Sequence, residues 1–445
     1  MAYVADSSQT LSPSLPPVAA SAGLRAVRRL VSADRDQGGD PARGGVSLGA
    51  DRPLSGSSEG SSGLSGGPAL GIYTGNHATV AAQGFQRVQS PEEKRQKSRE
   101  VRRERYHLQS VVRRFFPEER TAACMRCKVP DSVVTLHRHR ETGNAFFSGL
   151  MSCGSVWLCP VCSSKISERR RTELSLAIER AHAQGWKVYL LTLTVPHGLG
   201  DDLKPMLNKL KKSWKRMREH RDGQKVQAAV GLQGHVRAFE VTDGQNGFHP
   251  HFHALLFLDT DLTPEQVNAL YSPLWRRHCV AVGLPEPSEA HGCRVDGGEK
   301  AAQYVSKWGL PEEMTKSHLK KSTKGDSMWD LLRKWADNRD ARAIARFRLF
   351  YEAFKGERQL VWSKKVRQLL QLGEELTDEA LAQEQTESAS VLAQLEDEQW
   401  FMLRKLGLDL DLLDLAETHP ERVPEFLRRL SSMVREVGFD FEPSG

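Results

Sequence analysis

The chain has 445 residues, a formal net charge of +7 and a pI near 9.0, and 27% of its residues are charged. This length allows two or three domains, and the positive balance favours a polyanionic partner such as nucleic acid. The first thirty residues lack an apolar segment behind a basic start, and the longest apolar stretches are too short to span a bilayer. We therefore expect a cytoplasmic protein without a membrane-spanning segment.

The N-terminal part of the chain predicts disorder followed by a helix. Residues 1–90 are rich in Ser, Gly, Pro and Ala without a hydrophobic period, so they could bury too little apolar area to offset ordering entropy. Residues 91–120 are predicted to form a basic helix, with Ser90 as N-cap and Pro91 at the first helical position. The basic face of this helix could lie along phosphates or simply be solvated.

Five of the seven cysteines fall in residues 121–167, which predicts a zinc-binding module. Two C-x-x-C pairs suit tetrahedral thiolate coordination of Zn²⁺, and a closed set of four thiolates would be structural. The paired residues are the first choice, and Cys153 competes for one position. The predicted ligands are Cys124, Cys127, Cys159 and Cys162.

Helical and strand patterns alternate from residue 168 to 310, which predicts an α+β core. A helix in this core, "LKPMLNKLKKSWKRMREH", is basic and predicted to contact DNA. Residues 311–370 are predicted to be a basic helical extension. Residues 371–445 carry 6 Lys or Arg against 18 Asp or Glu and are predicted to form an acidic tail, with helices around "VLAQLEDEQWFMLRKLG" and "PEFLRRLSSMVREVG". The predicted DNA-binding cations of the core helix are Lys211, Lys212, Lys215 and Arg216.

The segment "NGFHPHFHALLFL" places His249, His251 and His253 at alternate positions of a predicted buried strand, so that they share one face. Neighbouring imidazoles are costly to bury without a common partner, and a divalent metal would supply one. The preceding strand ends in a Gly/Asn turn compatible with a hairpin, and its apolar run contains Glu240. Two histidines and a carboxylate suit Mg²⁺ or Mn²⁺ gripping a phosphate, although ligand type alone also allows Zn²⁺.

The segment "GGEKAAQYVSKWGL" places Tyr304 on a helix, with Lys300 and Lys307 at i−4 and i+3. A tyrosine on an amphipathic helix is more often a core residue than a nucleophile. The neighbouring lysines favour approach to an anion, and a metal-polarised phosphate would compensate for the weak acidity of the phenol.

Five blocks in order resemble plasmid rolling-circle replication initiators of the HUH endonuclease superfamily, in the Rep_1-type group. Three of them match its central motifs: "YLLTLTVPH" resembles the first, "HPHFHALLF" the second and "AAQYVSKW" the third, with Tyr304 as its tyrosine. "CGSVWLCPVC" upstream and "FKGERQLVWS" downstream also match in kind and order. The resemblance spans about residues 120–370.

This resemblance implies a fold and an activity. The fold is a central antiparallel sheet flanked by helices, with the histidine strand in the middle, preceded by the zinc-binding module and followed by a helical C-terminal region. A metal held by His251, His253 and Glu240 polarises the scissile phosphate at the plasmid origin. Tyr304 attacks, leaving a 5′-phosphotyrosyl bond and a 3′-OH that primes synthesis. The resemblance assigns His249 to the surroundings of the metal or to phosphate contact.

The sequence departs from the family at one position. Some relatives carry a glutamate four residues before the tyrosine for the terminating cleavage, but that position is Lys300 here and Glu299 lies five residues before. Glu299 is the candidate for this step, together with Lys307 as a further catalytic candidate beside Tyr304. A helix rotates by about 100° per residue, so Glu299 faces another direction, and termination by a second protomer's Tyr304, in a homodimer, is equally open. Without a P-loop, unwinding is expected to need a host helicase and replication machinery. The alternatives are a conjugative relaxase or transposase of the same superfamily, and a non-catalytic zinc-ribbon DNA-binding regulator.

Overall fold

The computed structural model describes residues 90–307, 325–383 and 386–437, so the predicted disordered head lies outside the described residues except for Ser90. The helices of this part are α1 (Pro91–Phe115), α2 (Pro160–Ala183), α3 (Leu203–Glu219), α4 (Arg221–Ala229), α5 (Pro264–Val280), α6 (Gly298–Lys307), α7 (Met328–Asn338), α8 (Ala341–Phe354), α9 (Val366–Leu369), α10 (Asp378–Ala382), α11 (Asp397–Leu406), α12 (Asp409–Thr418) and α13 (Val423–Val437). The strands are β1 (Val134–His139), β2 (Ala145–Ser148), β3 (Lys187–Leu193), β4 (Leu232–Gly244), β5 (Gly247–Leu258), β6 (Cys293–Asp296), β7 (Leu360–Trp362) and β8 (Ala389–Leu395). Within the described residues, no helix combines the length and apolarity needed to cross a bilayer.

The start of α1 confirms the predicted helix boundary. The Ser90 side chain accepts a hydrogen bond from the backbone N–H of Glu93, and the Glu93 side chain accepts one from the backbone N–H of Ser90. Pro91 occupies the first turn, where its missing N–H is not needed. This capping box satisfies two of the N–H groups that every helix start leaves without a partner.

A five-stranded antiparallel sheet forms the centre of the fold, in the order β6-β3-β5-β4-β7, and the histidine strand β5 is in the middle. Helices α3 and α5 cover one face, where Trp214 packs on Phe252 with ring centroids 5.9 Å apart. Helices α2 and α6 cover the other face, packing on residues such as Leu255 and Phe257. The predicted fold class is therefore confirmed.

Strands β4 and β5 form the predicted hairpin, closed by Gln245 and Asn246. Gly247 follows this turn with φ +88°, in the left-handed region that glycine adopts without a steric penalty. The antiparallel register places Glu240 directly opposite His251. Because residues paired across two strands lie on the same face of a sheet, this register brings the carboxylate to the imidazoles.

A second, three-stranded sheet in the order β2-β1-β8 corrects the prediction for the acidic tail. Residues 389–395, predicted as the beginning of a helix, form strand β8, which pairs antiparallel with β1. Helix begins only after the Glu396 cap, at α11. The cause is a tertiary contact. Without β8, one edge of β1 would carry unpaired backbone N–H and C=O groups, which a strand can satisfy and a helix cannot. The second predicted tail helix is confirmed as α13.

The basic helix α1 is partly neutralised by the acidic helix α12. Arg102 forms ion pairs with Asp414 and Glu417, and Arg103 forms ion pairs with Asp411 and Asp414. These arginines therefore do not form a freely solvated basic face, and they are not available to phosphates while α12 is in place.

Candidate active site and metal centres

Four cysteines converge in a buried cluster beside the sheet β2-β1-β8. They are Cys124, Cys153, Cys159 and Cys162, which are between 0% and 4% exposed. The Sγ atom of Cys124 lies 3.8 Å from that of Cys159 and 3.5 Å from that of Cys162, and Cys153 Sγ lies 3.6 Å from Cys162 Sγ. A tetrahedral zinc site with bonds of about 2.3 Å has sulfur–sulfur edges of about 3.8 Å. The cluster could therefore hold zinc.

The structure corrects the predicted membership of this set: Cys153 belongs to the cluster and Cys127 is exposed outside it. The loop after Cys124 turns through Met125, which has a positive φ of 53°. Its backbone then pairs with Met151, since Met125 N donates to Met151 O and Met151 N donates to Cys127 O. This pairing leaves the Cys127 side chain directed at solvent.

Polar neighbours and a helix start contact the sulfur of Cys159, whose pKa burial raises well above its ordinary value while no metal is bound. Cys159 is the N-cap of α2, and its Sγ lies 3.5 Å from the backbone N–H of Cys162. Gln109 Nε2 also donates to Cys159 Sγ, at 3.1 Å. Positive potential at a helix N-terminus favours the thiolate form that zinc requires.

A second cluster is formed by His251 and His253 of β5 with Glu240 of β4. The Nε2 atom of each imidazole lies 3.3 Å from Glu240 Oε2, so all three side chains present a ligand atom at one point. Ligand atoms at this separation can share one ion at about 2.0–2.2 Å, and the donor set fits Mg²⁺, Mn²⁺ or Zn²⁺. The Glu240 side chain is 41% exposed, which leaves the site accessible from solvent.

Oxygen atoms near the Nδ1 atoms orient both imidazoles. His251 Nδ1 lies 3.2 Å from the carbonyl oxygen of His249, and His253 Nδ1 lies 2.9 Å from Thr192 Oγ1. Metal binding through Nε2 requires the proton on Nδ1, and each Nδ1 already faces an oxygen that can accept it. Strand β3, which carries Thr192, therefore positions a ligand supplied by β5.

The electrostatics of this cluster keep Glu240 ionised. Burial raises the pKa of Glu240, but hydrogen bonding and charge interactions with His251 and His253 outweigh that effect and hold the pKa well below its ordinary value. An ionised carboxylate is the form that coordinates a cation.

Tyr304 reaches the same carboxylate from helix α6. Its hydroxyl donates to Glu240 Oε1 at 2.9 Å, and its ring lies 4.7 Å from the His253 ring. Ala301 and Val305 of the same helix are buried against the sheet, which fixes the direction of the tyrosine between them. The structure thus brings the predicted nucleophile and the three predicted ligands together.

Glu299 and Lys300 lie on the exposed side of α6. Glu299 accepts a hydrogen bond from Gln303 Nε2 at 2.9 Å, and Lys300 Nζ lies 3.4 Å from Gln303 Oε1. Both side chains are exposed. The backbone of Lys307 ends the helix, but its side chain lies outside the described part of the structure.

His197 joins the histidine row, although no role was predicted for it. Its ring lies 4.5 Å from that of His249, which in turn lies 5.1 Å from that of His251. Burial, together with the neighbouring His251 and His197, lowers the pKa of His249 to about 4. A signal was available: continuing the antiparallel register of β3 with β5 beyond Leu193 brings the "VPH" segment beside the start of β5.

Residues 150–406, more than half of the chain, match the family of replication proteins designated Rep_1. The chain belongs to the Rep_1 family. A "Protein rep" of Streptomyces lividans is 26% identical over 352 residues, covering 62% of this chain and 77% of that protein. A "Neomycin resistance protein" of Streptomyces cyanogenus is 31% identical over 156 residues, covering 29% and 35%. A "Protein rep" of Bacillus amyloliquefaciens is 30% identical over 151 residues, covering 32% and 42%. No solved structure matches significantly.

Membership in Rep_1 supports the expectation of a plasmid replication initiator, and a replication protein implies binding to origin DNA. The matched range contains Glu240, His251, His253, Tyr304 and three of the four clustered cysteines. Cys124 lies outside it.

The predicted DNA-binding cations of this Rep_1 chain lie away from the tyrosine. They belong to α3, which covers the sheet face of Phe252, opposite to the face of the histidines. Lys211 pairs with Glu357 at 2.5 Å, and Lys215 lies 3.9 Å from Glu219. Lys212, Lys215 and Arg216 are exposed.

A third group of metal-binding residue types was not predicted. His220 Nδ1 and His278 Nε2 lie 2.7 Å and 3.2 Å from Asp222 Oδ1. Arg277 pairs with the other carboxylate oxygen at 2.8 Å. The Asp222 carboxylate is therefore already paired with the Arg277 guanidinium, which distinguishes this set from the one at Glu240.

Proposed function

We propose that this chain initiates rolling-circle replication of a plasmid by nicking one strand at the double-strand origin with Tyr304. One observation carries the proposal: the two oxygens of Glu240 connect the tyrosine hydroxyl, at 2.9 Å, with both imidazole Nε2 atoms, at 3.3 Å. A nucleophile and a set of metal ligands that share one carboxylate suit phosphoryl transfer.

The reaction follows from these positions. The hydrogen bond to Glu240 holds the Tyr304 hydroxyl beside the point where His251 and His253 converge. A bond forms between the tyrosine oxygen and phosphorus while the bond from phosphorus to the 3′-oxygen breaks. The phenol loses its proton and the departing 3′-oxygen takes one up, leaving a 5′-phosphotyrosyl linkage and a 3′-OH primer. The linkage conserves the phosphodiester energy, so reversal rejoins the displaced strand. Mg²⁺ or Mn²⁺ held by the three ligands would neutralise charge on the scissile phosphate.

The remaining parts of the proposal concern partners. Glu299 is exposed and engaged by Gln303. We therefore assign the terminating cleavage to Tyr304 of a second copy, in a homodimer acting in the cytoplasm. Unwinding falls to a host helicase. The four clustered cysteines would hold a structural zinc beside the site, because the buried set leaves no open position for substrate.

The experiment is a nicking assay on a supercoiled plasmid that carries the cognate origin, in the presence of Mn²⁺. We expect nicked circles and a covalent protein–DNA adduct whose peptide mass identifies Tyr304. Tyr304→Phe should bind the origin and form no adduct, whereas Tyr271→Phe, a buried phenol on the other sheet face, should nick normally. Binding without nicking by the wild type would instead identify a non-catalytic regulator, and an adduct in Tyr304→Phe would move the nucleophile.

A further inference from the structure

Tyr304 and four histidines form a continuous row across the sheet. Each ring lies close to the next. The centroid distance is 4.7 Å between Tyr304 and His253 and 4.9 Å between His253 and His251. It is 5.1 Å between His251 and His249 and 4.5 Å between His249 and His197. The predicted ligands occupy the middle of this row. The nucleophile stands at one end, and His249 and His197 stand at the other.

His197 is held in place by the loop that follows β3. Thr194 O accepts a hydrogen bond from Trp275 Nε1 at 2.9 Å, which fixes the start of the loop. The next part of the loop rests on the β4–β5 hairpin, where a Cβ on Gly247 would lie 3.1 Å from Gly198 O. The His197–His249 contact is thus built into the junction of two strands rather than made by a freely moving chain.

In the part of the chain that the structure describes, neither His197 nor His249 contacts a carboxylate, which sets them apart from the other clustered histidines. His251 and His253 contact Glu240, and His220 and His278 contact Asp222. Within the described ranges, the hydrogen bond recorded for the His197 ring goes to Val195 O at 3.4 Å, and His249 contacts rings of other histidines. The Nε2 atom of His197 and the ring nitrogens of His249 can therefore donate to an anionic oxygen when they carry a proton.

The row also has a direction relative to the reaction, and this step rests on the proposed function. In phosphoryl transfer the attacking and departing oxygens lie on opposite sides of phosphorus. Tyr304 attacks from the His253 end, so the departing 3′-oxygen and the nucleotide that carries it lie towards His249. Alternate residues of a strand are about 6.8 Å apart, a spacing on the scale of one nucleotide step.

We propose that His197 and His249 form a binding site for the DNA backbone phosphate immediately 5′ of the scissile phosphate. The pair holds the nucleotide whose 3′-hydroxyl departs. It acts by positioning, through hydrogen bonds from imidazole N–H groups to phosphate oxygens.

The test measures binding, without metal and without turnover. Wild-type cleavage of an origin oligonucleotide first locates the scissile phosphate. Full-length Tyr304→Phe is then titrated, in a chelator, with single-stranded oligonucleotides in which one phosphate at a time is a neutral methylphosphonate. We expect the change immediately 5′ of the scissile position to weaken binding about tenfold. Adding His197→Ala or His197→Gln should reduce that loss to less than about twofold, because the contact is already missing.

His182→Ala, an exposed histidine near the end of α2, is the matched control and should keep the full tenfold loss. The assignment would be overturned if both His197 variants kept the tenfold loss of affinity. It would also be overturned if the methylphosphonate that weakens binding lay on the 3′ side of the scissile phosphate. The two proposals fail differently. If the wild-type protein never cuts the origin oligonucleotide, the proposed function is overturned. If it cuts, but the methylphosphonate immediately 5′ of the scissile phosphate does not weaken binding, only the phosphate site is overturned.

Discussion

The two clusters of predicted metal ligands differ in what surrounds them. The four cysteines are buried and meet each other on every side, with no room for a substrate atom. His251, His253 and Glu240 lie at the surface of a sheet, with a tyrosine hydroxyl beside them. Under the proposed function the two clusters have different uses: the closed set would tie chain segments together, and the open set would face a substrate.

The clusters also differ in how their members are held. Register between β4 and β5 fixes the histidines and Glu240, so strand pairing alone places them. The cysteines come from loops and from the start of α2, so each position depends on local turns such as the one at Met125. Strand-borne ligands are the more rigid, which suits a site where small displacements reduce the rate.

Chelation should separate the two clusters most sharply. We expect EDTA to abolish nicking while one zinc per chain remains bound, because the Glu240 site is open to solvent and the cysteine site is buried. The measurement is a nicking assay with metal analysis after gel filtration, followed by restoration with Mn²⁺. Loss of zinc before loss of nicking would remove the distinction.

Replacing one thiolate should affect the fold and not the chemistry. For Cys153→Ser we expect loss of stoichiometric zinc and several kcal/mol of stability, because structural zinc contributes directly to folding. Cys127→Ser is the control and should keep both, since Cys127 is exposed outside the cluster. Atomic emission and thermal unfolding measure the two quantities, and equal zinc loss in both variants would return Cys127 to the ligand set.

Removing the charge of Glu240 should affect the chemistry and not the fold. Glu240→Gln keeps an oxygen for the Tyr304 hydroxyl but removes the anionic ligand, and we expect nicking to fall on the order of a thousandfold. Metal titration by calorimetry should show a parallel loss of affinity, with unchanged zinc content. Glu265→Gln, at an exposed position in the first turn of α5, should leave both unchanged. Full nicking by Glu240→Gln would exclude the carboxylate as a ligand.

The smallest effect concerns the orientation of one ligand. Thr192→Val keeps the side-chain shape but removes the oxygen 2.9 Å from His253 Nδ1. We expect metal affinity at the open site to fall about 10- to 100-fold. Thr172→Val, on helix α2, is the control. An unchanged affinity would show that the strand alone orients His253.

The open site was largely predictable because it depends on strand periodicity. Alternation places His251 and His253 on one face, and a hairpin requires Glu240 to lie opposite, so two local patterns suffice. Tyr304 followed from the order of motifs. His197 was missed because its position follows from the register of β3 with β5 continued beyond Leu193, which the periodicity of a single strand does not reveal.

The other misses share a physical cause. Spacing favoured Cys127, which forms a C-x-x-C pair with Cys124, and only the pairing of residue 151 with the cysteine loop places it outside the cluster. The DNA-binding role of the α3 cations stays a prediction, and composition does not say which sheet face a helix covers. Strand β8 forms by pairing with a distant strand, so local propensity favoured a helix.

The pairing of β8 with β1 also determines when this protein can finish folding. Leu136 pairs with Ala393, about 250 residues later in the chain. At synthesis rates of about 5–20 residues per second, β1 waits roughly 10 to 50 s for its partner strand to be made. The catalytic sheet, whose strands lie between these two positions, is complete earlier. A nascent chain therefore contains all the residues of the tyrosine site before β8 pairs with β1.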